Sequence, residues 1–197
     1  MVTTPSRGRT HRTTLALGAL VLMMLGGCGG SGTSNSAVET SEAQATDAAT
    51  ASAVRCSDMA TASAQALARI NALRAVARQC GSTAVPAATA LLWNASLASA
   101  AQAHASDMAT RDYFAHTSPE GSTMISRAQQ AGYASSQVAE NIGAGYGTLE
   151  AALQGWLASA GHCANLMSTT YQDVALACAT SSTAQYGSYW VLMLGRR

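Results

Sequence analysis

Hydrophobic residues recur at helical spacing in the stretch that follows residue 56. From Ser57 to about Gln79, Leu67, Ile70 and Leu73 fall on one helical stripe. Ser57 is a suitable N-cap residue, because its side-chain oxygen can accept a hydrogen bond from a backbone N–H of the first helical turn. The pattern therefore predicts a first helix whose ends lie about 30 Å apart, at about 1.5 Å per residue.

A second apolar stripe predicts a helix from Asn94 to about Arg111. The members of this stripe are spaced by helical intervals and comprise Leu97, Ala101, His104 and Met108. Because His104 lies on or beside an apolar stripe, we expect it to be a hydrogen-bonded structural histidine rather than a ligand. The loop that follows, at 113–119, presents His116.

The rest of the chain mixes short helices with strands. A third helix is predicted from about Ser122 to Ala131, closed by Gly132. A fourth begins after Thr148 as N-cap, with an inward face formed by Leu149, Leu153, Trp156 and Leu157. Alternation predicts strands within 137–145, 173–179 and 189–194. Helices precede and follow the strands along the chain, which indicates the α+β class.

The first 27 residues are predicted to be a signal peptide. Arg7, Arg9 and Arg12 make a basic start, and the apolar run at 13–25 is too short for an ordinary membrane-spanning helix. The run ends in Leu25-Gly26-Gly27-Cys28, which resembles a bacterial lipobox and predicts lipidation of Cys28. The alternative is a plain secretory signal with Cys28 as an ordinary thiol. Gly29, in place of an aspartate, favours the outer membrane over the inner one.

Residues 28–54 are predicted to be a disordered tether between this anchor and one domain at 55–197. The segment is dominated by Gly, Ser, Thr, Ala, Asn, Asp and Glu. Before Val54, Val38 is the only aliphatic residue larger than alanine in it. Such a composition buries too little apolar surface to offset the entropy of ordering. The domain would be held away from a membrane, in an extracytoplasmic location such as the periplasm or the outer membrane.

The charge balance argues against nucleic acid as a partner. The chain has no lysine, and its cations apart from histidine are 11 arginines. Without Arg7, Arg9 and Arg12, eight arginines face ten carboxylates, so the mature formal charge is about −2. No basic patch is present in the sequence, and we expect a monomer that binds no nucleic acid.

The cysteines indicate an oxidising compartment. Apart from Cys28, the chain has an even number of them, Cys56, Cys80, Cys163 and Cys178. In an exported protein this count predicts two disulfide bonds. The predicted first helix would hold Cys56 and Cys80 much further apart than the Cα separation of about 7 Å that a disulfide allows. That excludes the Cys56–Cys80 pairing and leaves two arrangements open.

Three separated segments carry the candidate chemistry. They are Tyr113-Phe114-Ala115-His116, Glu140-Asn141-Ile142, and Trp156 with Gly161-His162-Cys163-Ala164-Asn165. Together they supply two imidazoles and one carboxylate, groups that can bind a metal ion or transfer protons. Because the segments are far apart in sequence, only the fold can bring these side chains together. The chain lacks the motifs of a P-loop, a serine-hydrolase elbow, a Cys-x-x-Cys pair and a His-Glu-x-x-His zinc protease.

These segments resemble the CAP superfamily, also called the SCP domain, and its bacterial branch in particular. This superfamily comprises cysteine-rich secretory proteins, antigen 5 and pathogenesis-related class 1 proteins. The resemblance rests on an ordered series of motifs over roughly the last 140 residues. Besides the three segments, the series comprises Leu92-Trp93-Asn94, Leu97-Ala98, Ala105-Ser106-Asp107-Met108, Gly132-Tyr133 and Tyr189-Trp190.

The resemblance implies an α-β-α sandwich, with a small antiparallel sheet between helical layers. It also implies a cleft lined by two histidines and up to two acidic residues, which in some members binds a divalent metal. Carried over by motif, the metal ligands would be His116, Glu140 and His162, with zinc or another divalent ion as cofactor. The second acid of the family falls at Ser159 in this chain. For the cysteines, the resemblance favours Cys80–Cys163 together with Cys56–Cys178.

Two functions of different classes follow from these expectations. The first is a non-catalytic, lipid-anchored binding module of the bacterial envelope, with a small molecule, lipid, glycan or protein as its ligand. The alternative is a metal-dependent hydrolase acting on peptides or envelope polymers. Ser159 in place of the second acid leaves no spare carboxylate as general base, which favours the binding module. Without a metal, Glu140 would accept hydrogen bonds from the histidines and join the three segments.

Overall fold

The structure, a computed structural model, describes residues 52–197. The predicted signal peptide, the lipidation of Cys28 and the tether up to residue 51 lie outside the described residues. Val54, at the end of the predicted tether, is 2% exposed and packs in the core. Its carbonyl accepts a hydrogen bond from the Leu149 N–H at 2.8 Å, so the chain already contributes to the domain directly before residue 55.

Helices and strands alternate along the described residues. A 3-10 turn, Cys56–Asp58, precedes the first helix. In chain order the elements are α1 (Ser63–Arg74), β1 (Arg78–Cys80), β2 (Thr83–Val85), β3 (Leu92–Trp93), α2 (Ala95–Arg111), α3 (Met124–Gln130), β4 (Val138–Ala144), α4 (Leu149–Ala158), α5 (Ala160–Met167), β5 (Asp173–Thr180) and β6 (Ser188–Gly195). Within residues 52–197, none of these helices has the length and apolar character needed to cross a membrane.

A four-stranded sheet with the order β3-β5-β6-β4 forms the middle of the domain. β4 and β5 both pair antiparallel with β6, which is the antiparallel sheet that was expected. β3 adds a parallel edge to β5 through Leu92 and Trp93. Two residues are too few to show the alternation by which a strand is recognised in a sequence. β1 and β2 form a separate antiparallel hairpin.

Alternate residues of the central strands face two different cores. On β6, Trp190, Leu192 and Leu194 pack against residues of α1 and α4. The intervening residues Tyr189, Val191 and Met193 pack against α2 and α3. Successive side chains of a strand point to opposite faces, so one strand serves both layers. The predicted α-β-α sandwich is therefore confirmed.

The second, third and fourth predicted helices are confirmed, as are Asn94 and Thr148 at the starts of the second and the fourth. Asn94 accepts a hydrogen bond from the Leu97 N–H at 3.1 Å at the start of α2. Thr123 and Thr148 cap α3 and α4 in the same way. The three predicted strands are present as β4, β5 and β6. The loop between α2 and α3 carries His116, as expected.

The first helix is shorter than the apolar stripe predicts. It was expected from Ser57 to Gln79, but α1 begins at Ser63 and ends at Arg74. At the start, the Asp58 side chain accepts a hydrogen bond from the Arg55 N–H and holds the 3-10 turn. At the end, the chain leaves the helix to form the β1–β2 hairpin. A 3-10 turn at the start and a hairpin at the end thus replace the helix that the apolar pattern predicts.

The structure contains two disulfide bonds, Cys56–Cys178 and Cys80–Cys163. Each joins Cα atoms 5.3 Å apart. This is the arrangement that the family resemblance favours. The first bond fastens the start of the domain to β5, and the second fastens β1 to α5.

Candidate functional site

A groove of about 510 Å³ opens where two walls of the domain face each other. One wall is the loop after α2, and the other is formed by α4 and α5. The edge of β4 lies between them. The lining residues are Phe114, Ala115, His116, Ile142, Gly143, Ala144, Tyr146, Gly155, Trp156, Ser159, His162 and Tyr186. All three segments singled out in the sequence contribute to this groove.

His116 is held by the buried carboxylate of Glu140. The His116 Nδ1 atom lies 2.9 Å from Glu140 Oε1, in a hydrogen bond that Nδ1–H donates. The His116 side chain is 52% exposed, whereas that of Glu140 is fully buried behind it. Since Nδ1 is used in this bond, Nε2 is the ring nitrogen left for a ligand in the groove.

Arg127 is the second partner of Glu140 and was not identified in the sequence. Its Nη2 atom donates to Glu140 Oε2 at 2.8 Å and to the His116 carbonyl at 2.9 Å. Nη1 donates to the Ser122 carbonyl at 2.8 Å. Arg127 is only 7% exposed, so α3 contributes a buried counter-ion to the site. No pattern on this short helix distinguishes Arg127 from a solvated surface arginine.

The environment of Glu140 stabilises its ionised form. Burial alone would raise its pKa, but the hydrogen bond from His116 and the charge of Arg127 outweigh that effect and lower the pKa. Both carboxylate oxygens are thereby engaged. Glu140 lies behind His116 and does not itself line the groove.

His162 lines the opposite wall of the groove. It stands in the first turn of α5, where the Asn141 side chain donates to its carbonyl at 3.0 Å. The Asn165 side chain donates to Asn141 Oδ1 at 2.9 Å and so holds the Asn141 side chain that fixes the backbone of α5. The neighbouring Cys163 is tied to β1 by its disulfide bond. Partial burial lowers the pKa of His162, and the nearby charge of His116 lowers it further.

His104 has the structural role that its position predicted. It is 1% exposed, and Nε2–H donates to the Ala115 carbonyl at 3.0 Å. Nε2 also lies 3.9 Å from Glu140 Oε1. Burial lowers the pKa of His104, although the charge of Glu140 opposes the shift. A neutral His104 therefore supports the loop that carries His116.

The predicted metal ligands are arranged in two layers. His116 and His162 line the groove, whereas Glu140 uses both oxygens on His116 and Arg127. Within residues 52–197, no group of three or more His, Cys, Asp and Glu side chains is positioned to hold a metal ion. In this arrangement the carboxylate of Glu140 serves His116 and Arg127 rather than the groove. What remains for a metal is a pair of imidazoles, one of which is oriented by a carboxylate, as is common around metal sites.

Aromatic side chains form the outer part of the groove. Phe114 and Tyr186 are each 42% exposed, and their ring centroids lie 5.8 Å apart. Tyr186 also packs edge-on against Tyr189 at 6.0 Å, which holds the exposed pair in place. Phe114 belongs to a segment singled out in the sequence. Tyr186 lies in the linker between β5 and β6 and gave no such signal.

Tyr146 fills a slot made by two glycines. A Cβ atom on Gly155 would come within 2.1 Å of the Tyr146 hydroxyl oxygen, and one on Gly143 within 3.0 Å of its ring. The Tyr146 carbonyl accepts hydrogen bonds from Ser188 Oγ at 2.9 Å and Trp190 Nε1 at 2.8 Å. The glycine-rich stretch at residues 143–147 thus comprises the end of β4 and the bend that follows it at the site.

A match to a known family covers most of the domain. Residues 67–194 match the cysteine-rich secretory protein family, CAP. The match spans more than half of the chain, and the protein belongs to the CAP family. No curated protein matches the chain significantly.

Two solved structures share the fold. One is an extracellular protein containing an SCP domain from Bacillus anthracis, with 24% identity and a TM-score of 0.54. The alignment covers 72% of this chain and 43% of the Bacillus protein, so the chain spans less than half of that protein's length. The other is an outer surface protein from Borrelia burgdorferi, with 17% identity and a TM-score of 0.55. That alignment covers 72% of this chain and 93% of the Borrelia protein.

Proposed function

We propose that this protein is an exported, lipid-anchored binding module of a bacterial envelope. The predicted signal peptide with Cys28 supports export and anchoring. The extracellular and outer-surface descriptions of the two structural neighbours agree with that location. The groove between the His116 loop and α5 is the proposed ligand site, because it combines exposed aromatic rings with two imidazoles.

The main support for a non-catalytic role is that both carboxylate oxygens of Glu140 already accept hydrogen bonds. A hydrolase of this type needs a carboxylate or similar base that can take a proton from water. Glu140 accepts hydrogen bonds from both His116 and Arg127 and is buried. Among the described residues that line the groove, none is Asp or Glu. These features favour binding over cleavage.

A divalent metal such as zinc would be held by His116 and His162. Glu140 would fix the orientation of the His116 ring and raise its basicity rather than coordinate the ion. A bound metal would supply Lewis acidity to the ligand in the groove. Because two protein ligands are fewer than the three of a catalytic zinc site, we expect weak and exchangeable binding.

Co-sedimentation with purified bacterial envelope polymer tests the proposed function. The full chain should be retained in the pellet without releasing soluble fragments. A variant with both His162→Ala and Phe114→Ala should be retained less, because each change removes a groove side chain. Ile125→Ala is the matched control, since Ile125 is exposed on α3 and does not line the groove. Equal retention of all three proteins would contradict the proposal. Zinc-dependent release of fragments that His162→Ala abolishes would support the hydrolase instead.

A further inference from the structure

The floor of the groove is the outer edge of β4. Within residues 52–197, β4 has β6 as its strand neighbour on one side and no strand on the other. Directly after β4, the Gly145 N–H donates to the carbonyl of Ser188, the first residue of β6, so the backbone of Gly145 points inward. The Ile142 carbonyl instead accepts from Trp156 Nε1 at 2.8 Å, so the backbone of Ile142 points outward.

Alternation along the strand then places Ile142 and Ala144 on the outer edge. One of their backbone groups, the Ile142 carbonyl, already accepts a hydrogen bond from Trp156 Nε1. For the other three, the Ile142 N–H and the N–H and carbonyl of Ala144, no hydrogen-bond partner is found among the described residues beyond the β4–β6 pairing. Ile142 is only 6% exposed. Buried backbone N–H and C=O groups normally have a hydrogen-bond partner. This strand edge can therefore pair with a second chain.

The two walls of the groove lie on opposite faces of this edge. The Glu140 side chain points to His116, whereas the side chain of the next residue, Asn141, points to the carbonyl of His162. Successive side chains of a strand point to opposite faces, so the loop wall and the α5 wall flank the edge on either side. A strand laid along β4 would send its alternate side chains to these two walls.

We propose that the ligand is an extended, uncharged peptide segment that pairs with the outer edge of β4 as an added strand. Main-chain bonds to Ile142 and Ala144 would align it, and Phe114 with Tyr186 would receive an apolar or aromatic side chain. Among the described residues that line the groove, none is Lys, Arg, Asp or Glu, which matches an uncharged ligand. The proposal rests on the proposed function, since it assigns a ligand class to the same groove.

A titration of the isotope-labelled full chain by NMR tests this pairing. The probe is a capped pentapeptide of alternating alanine and tyrosine, and its backbone N-methylated form is the matched control ligand. The amide signals of Ile142 and Ala144 should move downfield with the first peptide. N-methylation should weaken binding about 30-fold, the factor expected from the loss of two ordinary hydrogen bonds. Equal affinity for both peptides would overturn the proposal.

A variant of the strand edge gives a second, independent readout. Ala144→Pro removes an outward N–H, and proline is tolerated at sheet edges where the N–H does not serve the ladder. We expect loss of peptide binding with the β4–β6 amide signals retained, and Tyr186→Ala should weaken binding without touching the backbone. Cellotetraose and myristate serve as competing probes. If either of them shifts the amide signals of the groove while the peptide does not, the ligand is not a peptide. The proposed function is tested separately by retention on the envelope polymer.

Discussion

Glu140 determines how the two histidines of the groove differ. Its carboxylate contacts His116 and Arg127 directly, and His104 lies 3.9 Å away. His116 is therefore oriented by a negative charge, whereas no hydrogen bond to the His162 ring is found within residues 52–197. The buried pair of Glu140 and Arg127 also connects the His116 loop to α3 and β4.

Removal of this carboxylate should destabilise the domain strongly. In Glu140→Ala, Arg127 stays buried without its counter-ion, and the loss of one partner of a buried pair costs about 3–5 kcal/mol in free energy of unfolding. Urea denaturation measures the loss. Glu120→Ala is the control, because Glu120 pairs with Arg111 at the surface and its removal should change stability little. A chelator should leave the melting temperature of the wild type unchanged. A chelator-induced decrease would show that a metal, rather than the hydrogen bonds, holds the site together.

Stability should fall as the pH drops below neutral. The folded protein holds His104 and His162 with lowered pKa values, mainly because both are withdrawn from water. The unfolded chain takes up protons near the ordinary histidine pKa of about 6.5. Between that pH and the lower folded pKa values the unfolded state binds more protons, so the free energy of unfolding decreases as pH falls. Glu140, whose folded pKa is also lowered, loses its contribution in a more acidic range.

Urea denaturation at a series of pH values from about 7.5 to about 5 checks this dependence. His162→Asn removes one of the two imidazoles and should flatten the curve in part. A wild-type curve that is level or rises towards the acidic end would contradict the lowered pKa values.

The two groove histidines and Glu140 could be predicted from the sequence, but Arg127, the electrostatic partner of Glu140, could not. His116 and His162 stand in segments with recognisable motifs. Arg127 lies 13 residues before Glu140, and on a short helix an arginine is ordinarily solvated. Its burial depends on the packing of α3 over β4, which no local pattern reveals. The metal ligand set stays a prediction, although Glu140 is positioned as a hydrogen-bond acceptor.

At the element scale, α4 and the turn after β4 shape the groove through the fit of Tyr146. Gly155→Ala would place a methyl group in the space of the Tyr146 hydroxyl. We therefore expect the Tyr146 ring to move, the groove amide signals to shift and the melting temperature to fall. The stability lost by displacing the ring should exceed the roughly 0.5–1 kcal/mol by which alanine stabilises a helix interior relative to glycine.

Gly161→Ala in α5 is the matched control for this change. Apart from its chain neighbours and the backbone of its own helix, no described atom lies within 4 Å of a Cβ built on Gly161, so alanine should be neutral or stabilising there. NMR spectra and thermal unfolding of the two variants give the comparison. If Gly155→Ala behaves like Gly161→Ala, the slot for Tyr146 does not restrict the groove.

The long periodic elements could be predicted from the sequence, and the short ones could not. α2 and β6 carry clear patterns, and both were placed to within about two residues. α5 was not predicted, because it begins directly after α4 and the break between them depends on one residue. Ser159 adopts φ −95° and ψ 122°, an extended conformation that redirects the chain. The contact of Asn141 with the His162 carbonyl, which holds α5 against β4, is visible only in the fold.

At the scale of the whole molecule, the sheet brings the three segments together across long stretches of sequence. The second disulfide bond spans 83 residues and fixes α5 next to the β1–β2 hairpin. The first spans 122 residues and joins the start of the domain to β5. The α5 wall of the groove is thus supported by a disulfide bond, and the loop wall by the contacts of His116 with Glu140 and Arg127. This matches a site that is formed before its ligand arrives.

The attachment of the domain to a membrane should depend on Cys28. The basic start, the short apolar run and the lipobox-like end at Leu25-Gly26-Gly27-Cys28 predict a thioether-linked lipid at this position. Because Cys56, Cys80, Cys163 and Cys178 are all disulfide-bonded, Cys28→Ala removes the one remaining thiol of the sequence and leaves both bonds intact. Cell fractionation and labelling with a fatty-acid probe should show the variant unlabelled and in the soluble extract, because acyl chains supply the membrane affinity. A mutation of the neighbouring Ser31→Ala is the control and should leave the distribution unchanged. Recovery of Cys28→Ala in the membrane fraction as fully as the wild type would refute the anchor and indicate a plain secretory signal.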